Sequence, residues 1–303
     1  MQITVFTFTF KVCCATIITT EKRGLFMKIC DLHTHSCFSD GTDTPARLIE
    51  LAEGAGLSAV ALCDHNNVDG LAEFLSAAEG RNIEAVAGCE FSVTYEGKEL
   101  HLLGLYIPES AFGDVTALTL QAQKNKAESN ARLIEALNKA GYDISYDDVK
   151  KLTPKGNFNR SHVGEVLTEK GYTASVDDAF KKILSEKSGY YKKPERYSVW
   201  QVLDFILSIN AVPVLAHPFL NLDEERLVKF LPEAKKKGLA GMECMYSEYN
   251  AVTEKKAMQI AEGFGLKFSG GSDYHGKRKP GIKIAVGRGN LKIPYDWAVA
   301  LKG

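Results

Sequence analysis

The chain has 303 residues, 45% of them hydrophobic, and a formal net charge of −1 at pH 7. That apolar content suffices for one large core, or one core with a small appended unit; the near-zero charge offers no electrostatic case for binding duplex nucleic acid or a membrane. No apolar run approaches the roughly 18–20 residues that span a bilayer, and the scattered, odd-numbered cysteines fit reduced thiols in a cytoplasmic protein.

Residues 1–27 read differently from the rest. Met1 to Thr20 is rich in Thr, Phe, Val and Ile with Lys11 as its only charge, and Glu21-Lys22-Arg23 follows. A secretory signal needs an uninterrupted apolar centre after a basic start, which Lys11 breaks. The segment is therefore expected to be a non-native or disordered extension with Met27 as the natural start, an unusual export signal being the alternative.

From Lys28 onward short apolar runs alternate with helical periodicity. The expected strands are Ile29–Thr34, Ala59–Cys63, Glu84–Glu90, Leu100–Ile107, Val212–Ala216, Gly241–Tyr246 and Lys267–Gly270. Between the first two, Thr44-Pro45 supplies an N-cap and a proline at the first helical position. Leu48, Ile49, Leu51, Ala52 and Ala55 then form an apolar stripe that Gly56 stops. Strands alternating with helices predict a parallel α/β sheet or barrel, and seven strands suggest barrel-like closure. The alternation breaks over residues 108–197, read as a helical insertion acting as a lid between barrel segments 28–107 and 198–303. Residues 121–200 hold 15 Lys and Arg against 11 Asp and Glu. That local excess suits either solvated helix faces or a lid that favours an anionic substrate.

His33 and His35 are two apart at the end of a strand, so its two-residue period puts both imidazoles on one face. Glu90, His65, His217, and the Asp273/His275 pair also follow apolar runs, where a strand gives way to a loop. In α/β barrels active sites are built on that edge. One such histidine would be unremarkable; imidazoles and carboxylates converging from five strand ends need cations to reconcile them. Mixed imidazole and carboxylate donors suit Mn, Zn or Fe, and the absence of cysteine among them argues against a structural zinc knot.

In order along the chain, Asp31-Leu32-His33-Thr34-His35-Ser36, Ser39-Asp40-Gly41, Asp64-His65-Asn66, Gly88-Cys89-Glu90, His101, Ala216-His217-Pro218 and Gly271-Ser272-Asp273-Tyr274-His275 resemble the signature of the PHP (polymerase and histidinol phosphatase) superfamily. The resemblance implies a distorted (β/α)7 barrel with a helical insertion and a site for two or three divalent cations. It implies that His33, His35, Glu90 and Asp273 hold one ion, and that Glu90 bridges to a second held by His101 and His217. Asp40, His65 and His275 would hold a third, although Ser-Asp-Gly is also a turn sequence. Glu90, Asp273 and His217 are the ligands expected to carry catalysis, and Asp64 is expected to orient an imidazole by hydrogen bonding.

Asn159-Arg160-Ser161-His162 resembles the insert of stand-alone members acting on nucleoside 3′,5′-bisphosphates and short RNA. This marks Arg160 and His162 as substrate-binding residues, with helix capping or packing as the alternative. The expected reaction is hydrolysis of a nucleotide phosphomonoester, extending to short 5′-phosphorylated oligonucleotides, with water activated by the cations. The competing readings are a histidinol-phosphate phosphatase, an amidohydrolase-type C–N hydrolase and a non-catalytic metal-binding module. The second usually bridges its metals with a strand lysine, where this chain has Glu90.

Overall fold

The structure, a computed structural model, describes residues 27–152 and 159–303; the expected extension lies outside these apart from Met27. Seven strands form one sheet in chain order: β1 (Ile29–Thr34), β2 (Leu57–Leu62), β3 (Glu84–Tyr95), β4 (Lys98–Leu105), β5 (Val212–Leu215), β6 (Gly241–Tyr246) and β7 (Lys267–Gly271). The sheet curls until its ends meet. The His35 N–H donates to the Tyr274 carbonyl (2.9 Å) and the Asp273 N–H to that of His33 (2.8 Å). The result is a nearly closed seven-stranded α/β barrel, as expected.

One expectation needs correcting, because the barrel is not all parallel. β4 runs antiparallel to both β3 and β5, whereas the other neighbours are parallel. The cause is local. β3 and β4 are joined through Glu96 and Gly97, both at positive φ (45° and 74°), the two-residue hairpin geometry whose twist matches the strands it links. No crossover helix fits between them, so β4 must reverse. Its neighbour β3 also runs five residues beyond the expected Glu90, to Tyr95.

The helices in chain order are α1 (Pro45–Gly54), α2 (Leu71–Ala78), α3 (Phe112–Lys139), α4 (Tyr146–Lys150), α5 (Arg160–Glu169), α6 (Val176–Ala179), α7 (Val199–Ser208), α8 (Pro218–Asn221), α9 (Glu224–Lys236), α10 (Ala251–Gly263) and α11 (Tyr295–Lys302). Thr44 caps α1 by accepting the Arg47 N–H (3.2 Å). On β2, Val60 and Leu62 join the core made with Leu48 and Ile49 of α1 and Phe74 of α2. Ala59, Ala61 and Cys63 belong to a second core with Val86, Leu103, Val214 and Leu301. The stretch between β4 and α7 has a third core of its own, including Leu133, Leu137, Val149, Val163, Leu167 and Leu184. No helix among the described residues is long and apolar enough to cross a membrane.

Closure of the barrel depends on a glycine. A Cβ at Gly271 would lie 2.2 Å from the Cβ of His33 and 2.8 Å from its backbone nitrogen. Overpacking against backbone cannot be relieved by a rotamer change. Gly271→Ala is therefore expected to cost about 1–3 kcal/mol of stability or more, read as a lower urea midpoint at unchanged m-value. A midpoint within error of the wild type would show that β1 and β7 do not meet so closely.

Candidate metal centre

The nine side chains marked in the sequence as cation ligands meet at one edge of the barrel. His33 (β1) and His35 just beyond it bring their Nε2 atoms to 3.1 Å from each other. Glu90 on β3 is buried at the centre and divides its oxygens. Its Oε1 lies 2.7 Å from His101 Nδ1 and 3.0 Å from His217 Nε2. Its Oε2 lies 2.9, 3.3 and 3.4 Å from nitrogens of His65, His35 and His33. His101 belongs to the reversed strand β4, so it reaches the cluster from mid-strand rather than from a strand end. Asp40 Oδ1 lies 3.1 Å from His275 Nε2, and Asp273 Oδ1 lies 3.2 Å from His35 Nε2.

Four overlapping groups place one donor atom per residue within ligand-forming reach: His35/Asp40/His65/His275, His33/Glu90/His217, His33/His35/Asp273 and His65/Glu90/His101. They fit cations better than they fit one another. His65 Nδ1, His101 Nδ1 and Glu90 Oε2 are enclosed without a hydrogen-bonding partner despite the short separations. Atoms this close but misaligned for hydrogen bonding are what lone pairs aimed at a shared ion produce. The imidazole–carboxylate mixture suits Mn, Zn or Fe. Backbone strain gathers here too: Asn66, His217 and Asp273 all have positive φ (47°, 25° and 54°).

A further set of residues aims the ligands, and most of it escaped the sequence reading. Buried Glu243 on β6 sits 3.1 Å from His33 Nδ1 and accepts the His217 N–H (2.7 Å). A carboxylate inside the apolar run Gly241–Tyr246 was the signal available. Asp273 Oδ2 accepts from the Tyr246 hydroxyl (2.7 Å) and the Lys279 ammonium (2.6 Å), which leaves Oδ1 toward the histidines. Asp31 accepts the N–H groups of Ser272 (2.8 Å) and Ala285 (2.9 Å), fastening the β7 loop to β1. Asp64 corrects an expectation, since it orients no imidazole directly. It accepts the Ser36 N–H (2.8 Å) and the hydroxyls of Ser36 and Ser39, and so shapes the turn that presents Asp40.

The electrostatics follow from this crowding. Burial would raise Glu90, but His101, His65 and His33 outweigh it and hold the carboxyl well below its ordinary range. Burial would likewise lower His35 and His101. Asp273 and Glu90 instead hold His35 at about 9, and Glu90 with Glu99 holds His101 at about 10. At His65 burial wins, and the imidazole falls to about 4.

Beside the cluster lies a cavity of about 190 Å³ whose lining includes the cations Lys126, Arg160 and Arg196, the carboxylates Glu99 and Glu195, and Asn159 and Tyr191. Arg160 stacks on Tyr191, 4.0 Å from its ring centroid, and donates to the Leu184 carbonyl (3.2 Å). Arg196 pairs with Glu99 (2.8 Å). Lys126, half-buried, has no ion pair among the described residues, and burial pushes its ammonium down against the opposing pull of Asp40 and Glu99. The lining thus holds three cations against two carboxylates, Glu99 and Glu195. His162, expected beside Arg160 as a substrate contact, does not line it. His162 is buried one turn into α5, where its Nδ1 accepts the Asn159 N–H (2.9 Å) and completes the helix cap. Two positions, little more than half a turn of helix, separate a first residue facing the cavity from a third folded back on the cap.

Comparisons with known proteins agree with this geometry. A family model described as PHP domain matches residues 31–197. A 5′-3′ exoribonuclease of Haemophilus influenzae is 32% identical over 247 residues, covering 81% of this chain and 89% of that protein. A phosphoribosyl 1,2-cyclic phosphate 1,2-diphosphodiesterase of Eggerthella lenta is 28% identical over 265 residues, 84% of this chain and 98% of its own. A solved structure from Bifidobacterium adolescentis, classed as a metal-dependent phosphoesterase, superposes with a TM-score of 0.79 at 27% identity, covering 90% of this chain and 95% of that one.

An imidazole ligates a cation only in its neutral form. With His35 held at about 9 and His101 at about 10, both carry protons near neutrality, and a cation must displace them. Mn²⁺ binding is therefore expected to release protons and to tighten as pH rises from about 6 to about 8. Titration calorimetry in two buffers of different ionisation enthalpy measures this directly. Zero proton release with pH-independent affinity would contradict it.

Proposed function

The chain belongs to the PHP domain family and is a metal-dependent phosphoesterase acting on small phosphorylated substrates, and within that activity we propose that it acts on a nucleotide carrying two phosphates. The substrates in view are a nucleoside 3′,5′-bisphosphate and the 5′-phosphorylated end of a short RNA. The carrying observation is the cavity beside the cluster. Lys126, Arg160 and Arg196 line it beside Glu99 and Glu195, and neither Lys126 nor Arg160 is committed to an ion pair among the described residues, so the wall offers two free cations to a second anion next to the one being cleaved.

When bound, divalent cations supply Lewis acidity to the phosphoryl oxygens and bring the ionisation of water toward neutral pH. The chain's own residues do the rest. Glu90 keeps five imidazoles within 3.4 Å of its two oxygens and so holds together the donors that would take the cations. Tyr246 and Lys279 hold one oxygen of Asp273 so that the other faces the reacting centre. Glu243 locks the ring of His33 from behind. Arg160, stacked on Tyr191, presents a planar donor fork to phosphate oxygens with little rotamer freedom left to lose. A 5′-phosphate seated there orients the 3′ phosphoester at the cluster, and remote binding energy is spent on alignment.

Phosphate-release assays with Mn²⁺ test this. A nucleoside 3′,5′-bisphosphate and a 5′-phosphorylated dinucleotide should outperform histidinol phosphate, a ribose cyclic phosphate and the same dinucleotide lacking its 5′-phosphate. Equal rates with and without the 5′-phosphate would remove the proposal. Glu90→Ala should lower kcat by about 10²–10³-fold or more, the scale of losing a group that stabilises transition-state charge. Arg160→Ala should instead raise KM, by about tenfold or more with kcat changed far less, as expected for the loss of one charge-assisted anion contact.

A further inference from the structure

One buried cation has no role in the chemistry above. Arg278 lies three residues beyond His275, and its side chain is 12% exposed. Its Nε donates to Glu165 of α5 (2.7 Å) and its Nη2 to the Leu152 carbonyl (3.0 Å). Its Nη1 donates to the carbonyls of Asp40 (2.8 Å) and Gly41 (2.9 Å). Two partners thus belong to the helical stretch that walls the cavity, and two belong to the turn that presents Asp40 to the cations. A planar guanidinium serves both sides at once, which a point-charge ammonium cannot do.

A second link runs parallel to the first. The Asn159 amide donates to Asp40 Oδ2 (2.6 Å), while its Oδ1 accepts the Ser161 N–H (3.0 Å) and so caps α5. Asp40 is therefore tied to α5 through its side chain by Asn159 and through its backbone by Arg278. The next residue after Asn159 is Arg160, which lines the anion cavity. Nor can the Asp40 turn slide freely: a Cβ at Gly41 would lie 2.4 Å from the His35 carbonyl oxygen.

We propose that Arg278 is a positioning residue that holds the Asp40 cation pocket and the α5 wall of the anion cavity in register, so that cation binding at Asp40 and anion capture at Arg160 depend on each other. The half concerning anion capture rests on the two-phosphate reading above; the half concerning the cation does not. The dependence is reciprocal, as any coupling between two binding sites must be.

The test uses Arg278→Gln and Glu165→Gln in the full chain. Arg278→Gln should weaken Mn²⁺ binding in equilibrium dialysis by about 10–100-fold for one class of sites, the effect of losing a group that orients a ligand. It should speed hydrogen exchange across residues 160–169 while the barrel strands stay protected, and raise KM more than it lowers kcat. Arg278→Lys should not rescue it. Glu165 touches neither a candidate ligand nor the cavity lining, so Glu165→Gln separates coupling from local damage and serves if Arg278→Gln fails to fold. It should shift Mn²⁺ affinity and KM in the same directions. Faster exchange in α5 with Mn²⁺ affinity unchanged would overturn the proposal. Weakened Mn²⁺ binding with no dependence of wild-type KM on a 5′-phosphate would instead remove the two-phosphate reading and leave the cation half standing.

Discussion

The structure depends on one unfavourable act, the burial of the Glu90 carboxylate among five imidazoles. A carboxylate taken out of water without compensation costs several kcal/mol, and here it is surrounded by Asp40, Asp273 and Glu243, all buried as well. Imidazoles soften that repulsion only by holding protons, as His35 and His101 do. Even then His65 Nδ1, His101 Nδ1 and Glu90 Oε2 are left without hydrogen bonds. Divalent cations satisfy carboxylates and neutral imidazoles together. The surrounding architecture works to keep these groups from relaxing apart.

The barrel does this by delivering ligands from strands that cannot move independently. β1 contributes His33, β3 contributes Glu90, β4 contributes His101, and the ends of β5 and β7 lead into His217 and Asp273. Gly271 allows β7 to press against His33, and the closing bonds through Tyr274 and Asp273 leave no free edge there. The positive φ values of His217 and Asp273 are the local cost of turning a strand end into the centre of the cluster. Such strain persists only where surrounding contacts over-determine it. Tyr246, Lys279 and Glu243 supply those contacts at exactly the two strained ligands, Glu243 through the His217 N–H and the other two through Asp273.

How much of this was legible in the sequence depended on whether the signal was local. The strands were, because each is a short apolar run with a polar stop, and β1 and β6 fall on their expected bounds. The gathering of candidate donors was, because most of them sit at those stops in recognisable tripeptides. The direction of β4 was encoded in two residues, Glu96-Gly97, that a pattern of alternating strands and helices overlooks. Glu243, Lys126, Arg196 and Arg278 were not legible. Glu243, Arg196 and Arg278 act on residues far away in sequence, such as Arg278 on Asp40, 238 positions distant, Lys126 only lines the cavity, and nothing beside any of them in the chain marks the role. His162 shows the opposite error. It sits in a recognisable motif, but α5 carries it away from the cavity to the helix cap, and only the three-dimensional course of that helix distinguishes it from Arg160.

The opposed charges of cluster and cavity suggest how the substrate is chosen. A phosphate approaching the carboxylates of Glu90, Asp40 and Asp273 alone would be repelled, so the reacting site becomes attractive only through the cations it holds. The neighbouring wall offers Lys126 and Arg160 without them, although Glu99 already answers Arg196 and Glu195 lines the same cavity. A substrate with one phosphate must choose between the two regions and gains alignment from neither. A substrate with two can occupy both, and the second contact converts binding energy into orientation of the reacting phosphoester. On the two-phosphate reading, selectivity arises from the fixed offset between a cation-dependent site and a cation-independent one. On that reading the offset is fixed by the bonds through Asn159 and Arg278.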